Sequence, residues 1–579
     1  MVLLTALRSL PQIQSLFFNA DGDDQMRLTE VRDWLAGQSW WDTRQYRVLP
    51  PEGISMHWSR YLDAGIGAVL LAARAALPAA QADLAAVILW PSLLACLMVV
   101  VLTHGTSRLF GPAAALGALA VFFTWNKLGG EFVPARIDHH SVQILCATAI
   151  FYLVVLPGRP RLFGALAGIA TAFSLAIGLE MLPYLATIWG LMSLRHAFGQ
   201  PESGDRLIGF GVAFTLSAPL LMAGQTPVAA WGTPWCDVLA PPVMALGLVG
   251  VVATLAPVLA ERVVPGPLGR IALLLSLAAL GLWLAYPLLG QCLAGPYSSV
   301  SPEVRSIIEN DITEAKSVWA LLATNPGLPG RILLPPLVIA GLAALTAWRL
   351  RHRIPQLQAT ALVQAFVVTI IGFGISLLQI RASNLMTPAI PALAGFLVHA
   401  FTLIPRASRR RAPAAAALVL ALPSVVAQGA TWLARQTTTT GTGIVASGPA
   451  ERCRNEAAMS ELASLPRSLL FTTLNLGPVV LAYTPQSVTS AAYHRSPQAF
   501  WNGVGAFESR ENLQEALAAS KADYLVFCAA GALERGNPVI SGLLSGPLPA
   551  WLQDETGNRT QMRVFKVDQT ALGGDGGSS

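Results

Sequence analysis

Charge is what this chain has least of: only 12% of its 579 residues are Asp, Glu, Lys or Arg, about half the share usual in soluble domains. So little charge excludes a soluble globular enzyme and a disordered protein. Cysteine is scarce too. The six present are scattered and form no CxxC pair, which excludes a disulfide scaffold and gives no reason to expect zinc. No internal repeat is visible, and this counts against transporters built from repeated halves. What is abundant is apolar sequence: 54% of residues are hydrophobic and the mean hydropathy is +0.54. The composition is that of a multi-span membrane protein.

A bilayer core of about 30 Å requires about 20 mostly apolar residues per helix. Runs that meet or approach this length lie near 83–103, 110–125, 137–156, 161–177, 179–197, 207–223, 242–260, 270–291, 331–348, 358–379, 385–404 and 412–430. A thirteenth, 1–20, is interrupted by Arg8 and Pro11; its short leader suggests a start further upstream. With the amino terminus inside, the cytoplasmic loops carry Arg108, Arg159 and Arg161, Arg195 and Arg206, Arg262 and Arg270, Arg349 to Arg353, and Arg406 to Arg411. The short loops on the other side hold chiefly Lys127, Arg136 and Arg381. This alternation follows the positive-inside rule. It accounts for the net charge of +6 without a nucleic-acid partner.

Three segments are too polar to span, and the topology puts all three outside: 21–82, 293–330 and 431–579. The chain divides accordingly into a membrane domain, 1–430, and a terminal domain, 431–579. The latter has polar punctuation, including the Thr run 437–440, strand-like runs at 469–472 and 479–483, and a helical 511–520. It reads as a small α/β domain.

Several residues in these outer segments carry chemistry. Asp21, Asp23 and Asp24 follow the first span. Three carboxylates so close repel unless a cation or basic groups neutralise them, and carboxylate oxygens suit Mg²⁺ or Mn²⁺. Arg27, Glu30, Arg32 and Asp33 continue at the spacing of an amphipathic helix. His57, Trp58 and Arg60 combine an aromatic face with polar edges, as sugar sites do, although interfacial aromatics also anchor membrane proteins. Asp138, His139 and His140 open a span, where ionisable groups are costly and default to function. No third nitrogen or sulfur ligand stands near these histidines at a spacing typical of zinc. Glu180 and Arg381 lie at the outer ends of two further spans, and Glu303, Glu309, Asp311 and Glu314 line the second outer loop.

An acidic motif after the first span, a second opening the fourth, a Glu-bearing loop after the ninth and an arginine starting the twelfth make a recognisable pattern. It resembles the GT-C class of membrane glycosyltransferases, and within it the oligosaccharyltransferase catalytic subunits. The resemblance implies a mainly α membrane fold of about thirteen helices followed by a periplasmic α/β domain. Asp23 resembles the catalytic aspartate, with Asp24 beside it. Asp138-His139-His140 resembles the acidic motif of the same span, and Ile312-Thr313-Glu314 the glutamate-ending loop motif. The resemblance thereby implies Asp138, His140 and Glu314 as ligands of Mg²⁺ or Mn²⁺, and Arg381 as the donor-phosphate contact. Two departures stand out. His140 occupies the place of a second acid, and the Trp-Trp-Asp acceptor motif has no counterpart after residue 430, although Trp40-Trp41-Asp42 stands in the first loop.

The expected function is inverting transfer of a sugar or oligosaccharide from a polyprenyl-phosphate or -diphosphate donor. The acceptor would be a cell-envelope glycan, lipid or protein at the periplasmic face of a bacterial inner membrane. Weaker substrate contacts would come from His57, Trp58, Arg60 and Glu180. A flippase for lipid-linked saccharides is the alternative, and a receptor or scaffold a third reading. The terminal domain's two cysteines, Cys453 and Cys528, either form a disulfide in an oxidising compartment or stay as two separately buried thiols.

Overall fold

The structure is a computed structural model that describes residue 8 and residues 10–264, 266–295, 300–437, 453–528 and 536–572. Residues 1–7 and 9 of the interrupted first run, and 438–440 of the Thr run, lie outside that set. The chain is mainly helical and is a multi-pass membrane protein. Each of the twelve apolar runs holds a helix or a bent helix pair. Their lengths are uneven. Among the described residues, seven helices are long and apolar enough to cross a membrane, or nine if the bent pairs Ile380–Met386 with Ile390–Thr402 and Arg411–Leu420 with Pro423–Gln436 each count once. Ala114–Thr124 and His140–Leu153 are shorter, and Leu182–Ala197 has 16 residues.

The local sequence explains the short helices. Gly111-Pro112 delays the start of Ala114–Thr124, and Pro388 falls at the break that bends the Ile380–Thr402 pair by 48°. His140–Leu153 starts late because Arg136 to His139 make polar contacts before it. Elsewhere small residues let helices approach. A side chain at Gly164 or Gly209 would run into the carbonyls of Arg206 or Arg161, so Pro160–Ile177 and Ser203–Gln225 meet backbone to backbone. Such small-residue contacts drive helix association in lipid.

The first outer segment is folded rather than a loop. Gly22–Leu35 is a helix capped by Asp21, whose carboxylate accepts from Asp23 N at 3.3 Å. Arg60–Arg74 is a second, capped by Ser59. The expected amphipathic face is absent: Arg27 and Glu30 are buried. The Arg27 and Arg60 guanidiniums each reach Asp63 at 3.0 Å, and Arg27 also lies over the Trp58 ring at 4.0 Å.

After residue 453 a five-stranded sheet runs Ser487–Val488, Leu469–Thr472, Tyr524–Cys528, Met562–Val567, Leu552–Asp554, the first three strands parallel and Met562–Val567 antiparallel to both its neighbours. Side chains alternate in the period of two that strands impose. Leu470, Val526 and Val564 face one core, which includes Phe18, Met26, Met56 and Trp58 of the first outer segment. Phe471, Leu525, Phe527 and Phe565 face another, with Leu513, Leu517 and Trp551. Arg47 donates to the carbonyls of Leu481, Thr484 and Gln486 at the end of the helix Gly477–Tyr483, where a cation suits the helix dipole. The two segments are thus one packed unit.

Candidate active site

The acidic turn and the Asp138 motif meet. Asp24 is fully buried and accepts from Ile137 N at 2.7 Å, Asp138 N at 3.0 Å and Arg136 Nη1 at 2.8 Å. These three donors occupy most of its acceptor sites, so Asp24 positions the second motif against the first. Burial, and then the charges of Asp21 and Asp138, raise the Asp23 carboxyl well above the ordinary range, with His139 opposing. Burial also pushes Asp24 up to about 7 despite Arg136.

Beyond Asp24 lies an alternating chain of acids and imidazoles. Asp138 Oδ1 lies 2.5 Å from His139 Nδ1 and Oδ2 3.3 Å from His140 Nε2. On the far side Glu180 reaches His140 Nδ1 at 2.8 Å and His139 Nε2 at 3.6 Å. One ligand atom from each of Asp138, His139 and His140 can lie within 4.8 Å of the others, a grouping able to hold a metal ion. The carboxylate oxygen and two imidazole nitrogens fit a divalent cation, with nitrogen favouring Mn²⁺ over Mg²⁺. Glu180, expected as a substrate contact, belongs to this cluster.

Two further expected site residues come from later in the chain. Glu314 is exposed on the turn Thr313–Ala315 and outside the three-ligand grouping, yet its charge is felt at Asp23. Arg381 lies in Ile380–Met386, and the adjoining Ile380 N donates to Lys316 O at 3.0 Å, which ties the arginine's segment to the Glu314 turn. Trp58 and Arg60 stand apart from these residues in role. Trp58 is covered by Arg27 and by Tyr493 at 5.1 Å between ring centres. Arg60 donates to Asp63, to the Trp40 carbonyl and to the Asp42 carbonyl. Both side chains are buried. The Trp40 indole donates to Gly224 O at 2.7 Å, and the Asp42 carboxylate accepts from Tyr46 OH at 2.8 Å.

Sequence reasoning missed a second grouping. His57, Asp237 and His494 bring one ligand atom each within 4.8 Å. His494 Nε2 lies 2.8 Å from Asp237 Oδ2. Arg495 grips both oxygens of that carboxylate at 2.7 Å and lies over the Trp235 ring at 4.2 Å. The His57 and His494 rings are 4.4 Å apart. Burial, then His494, keeps His57 far below its ordinary range. Burial works against the charge of Asp237, but the bonds from His494 and Arg495 outweigh it. Tyr493, next in the chain, feels the charges of Asp23, Glu30 and Asp21, so this grouping adjoins the acids. The one visible signal was Tyr493-His494-Arg495, an imidazole between a phenol and a guanidinium.

Two disulfides flank these residues. Cys236, beside Asp237, joins Cys292 with Cα atoms 5.3 Å apart. Cys453 joins Cys528 with Cα atoms 5.8 Å apart. The free thiols, Cys96 and Cys146, lie in helices of the membrane domain.

No protein-family model and no curated protein sequence matches the chain. Solved structures do. The archaeal oligosaccharyltransferase AglB from Archaeoglobus fulgidus, in complex with an inhibitory peptide and a dolichol-phosphate, is similar at TM-score 0.60 and 14% identity, over 91% of this chain and 69% of that one. The Archaeoglobus fulgidus enzyme in complex with Zn and sulfate aligns at TM-score 0.57 and 14% identity, over 98% and 73%. ArnT from Cupriavidus metallidurans bound to undecaprenyl phosphate aligns over 98% of both chains at TM-score 0.42 and 12% identity. All three are GT-C glycosyltransferases, and the likeness to the two oligosaccharyltransferase structures gives the chain the GT-C fold. The resemblance expected from the acidic motifs holds at that level.

Proposed function

We propose that the protein is a membrane glycosyltransferase that moves a sugar or oligosaccharide from a polyprenyl-phosphate or -diphosphate donor to an acceptor, with inversion at the anomeric carbon. The observation that carries this reading is the docking of the Asp23-Asp24 turn, through Asp24, on the backbone that opens the Asp138-His139-His140 cluster, on the GT-C fold. Asp23 takes the acceptor's proton: a carboxylate whose charged form is disfavoured is the stronger base. The acceptor oxygen then bonds to the anomeric carbon as the bond to the donor phosphate oxygen breaks, and the electron pair leaves with the phosphate. Arg381 holds that phosphate, since a guanidinium binds it bidentately.

Asp138, His139 and His140 would hold the divalent cation, Mn²⁺ or Mg²⁺, with Glu314 reaching in from the outer turn. Such an ion supplies charge stabilisation at the leaving phosphate. Glu180 fixes the two imidazoles, and Asp24 with Arg136 fixes the backbone beneath them.

The compartment proposed is the periplasmic side of a bacterial inner membrane. In the span order read from the arginines, all four bridged cysteines fall outside, where disulfides persist. The test is release of free polyprenyl phosphate, or diphosphate, from a lipid-linked sugar by the purified protein. Wild type should release it, Asp23→Asn and Asp138→Asn should not, and chelation should stop it. Translocation of the intact donor across vesicles without release would favour the flippase instead.

A further inference from the structure

We infer that His57, Asp237 and His494 form a zinc site distinct from the Asp138 cluster. The three come from remote parts of the chain: the first outer segment, the outer turn after Ser203–Gln225, and the terminal sheet domain. Their ligand atoms nonetheless lie within 4.8 Å of one another. Two imidazole nitrogens and one carboxylate oxygen are a zinc set, and three protein ligands leave the fourth tetrahedral position for water or a substrate oxygen.

Two further observations point to an ion. His57 Nδ1 is buried and makes no hydrogen bond among the described residues. A buried, unpaired imidazole nitrogen is costly and calls for an ion or a water. The carboxylate is also held as metal-bound carboxylates are held: Arg495 grips both Asp237 oxygens and fixes their direction, the outer-shell support that orients a ligand. The Cys236–Cys292 bridge anchors the turn that delivers Asp237.

Bonds of about 2.0–2.2 Å to a tetrahedral ion place ligand atoms about 3.3–3.5 Å apart. His494 Nε2 and Asp237 Oδ2, now 2.8 Å apart, need only a small separation. Their hydrogen bond is replaced by two bonds to the ion, with the Nε2 proton passing to Nδ1. Asp237 and Arg495 cancel, so the ion brings surplus positive charge.

The inference does not depend on the transfer reading, because its test uses Zn²⁺ alone. The parent for the test is the full chain in detergent with His139→Gln and His140→Gln, which removes the imidazoles of the other grouping. After dialysis against Zn²⁺ and a weak chelator, this parent should retain about one equivalent by elemental analysis. Adding His57→Gln or His494→Gln should abolish retention. A parent that retains none, or retention that survives either added change, overturns the site. Zinc-edge X-ray absorption on the folded parent serves if the added variants aggregate. Two imidazole shells with oxygen support the site, and an all-oxygen shell overturns it.

Discussion

The Asp138 cluster and the His57 cluster contain the same ligand types, one aspartate and two histidines, but differ in connectivity and charge. The first is contiguous in sequence and sits among Asp21, Asp23 and Glu180, with Asp24 pinned to Arg136. The second is assembled from residues up to 437 positions apart in the numbering, 57 to 494. Its single carboxylate is already neutralised by Arg495. An excess of acid stores unfavourable energy that a cation or a proton can release, which suits catalysis. A balanced cluster stores little and suits holding segments together. The two should therefore answer opposite ways to losing a carboxylate.

Activity should show the largest effect. Asp138→Asn and Asp23→Asn are each expected to lower sugar transfer by about a thousandfold, the upper scale for losing a group that stabilises developing charge. Single-turnover assays with lipid-linked donor would measure it. Loss of less than about tenfold in both would remove the acidic cluster from the chemistry and erase the contrast.

Stability should reverse in sign between the clusters. Asp237→Asn strips Arg495 and His494 of their shared acceptor. Breaking a buried pair costs about 3–5 kcal/mol, and the partial exposure of this one should bring the loss to about 1–3 kcal/mol. Asp23→Asn should instead raise the melting temperature, because it removes a carboxylate that the fold holds above its ordinary range, at the expense of activity. Thermal unfolding in detergent at neutral pH compares them directly. Two variants shifting the same way would show that charge excess does not separate the clusters.

The donor contact should show a smaller effect. Charge-assisted hydrogen bonds contribute about 1.5–3 kcal/mol each, so Arg381→Ala should raise the donor KM by about ten- to a hundredfold. Arg381→Lys should recover part of it, since an ammonium keeps the charge but not the fork. Unchanged donor KM with alanine would leave Arg381 a structural tie to the Glu314 turn.

The contrast also explains what the sequence could reveal. Helix positions were legible because each apolar run is local, and Asp138-His139-His140 because its chemistry is contiguous. Arg27 and Glu30 were misread, since helical spacing cannot distinguish a solvated face from a face buried under a sheet domain that begins more than 400 residues later. The burial of Trp58 and Arg60 was hidden for a related reason: their partners, Tyr493 and the Trp40 and Asp42 carbonyls, arrive through tertiary folding. The expectation against zinc rested on cysteine spacing and on histidines near His139 in sequence. Neither could show Asp237 and His494 converging on His57. Helix lengths were less legible, because proline and glycine divide apolar runs that hydropathy treats as continuous.

The smallest expected effect is a pH dependence between the clusters, at Glu30. Asp63 takes both Arg27 and Arg60 at 3.0 Å, while Glu30 lies 3.9 Å from Arg27 and its Oε1 makes no hydrogen bond among the described residues. Burial, then the charge of Asp63, raises its carboxyl from an ordinary 4.5 to about 8. Between those values the folded chain keeps a proton that the unfolded chain releases. Stability from this group is therefore lost as pH rises through that window. Glu30→Gln keeps the neutral shape and removes the proton exchange. Its melting temperature relative to wild type should rise from pH 5.5 to pH 8, by an amount equivalent to about 1–2 kcal/mol once relaxation discounts the full shift. Equal pH slopes in the two proteins would mean that Glu30 is ionised and shares the guanidiniums with Asp63. The patch beneath Trp58 would then be as charge-balanced as the His57 cluster above it.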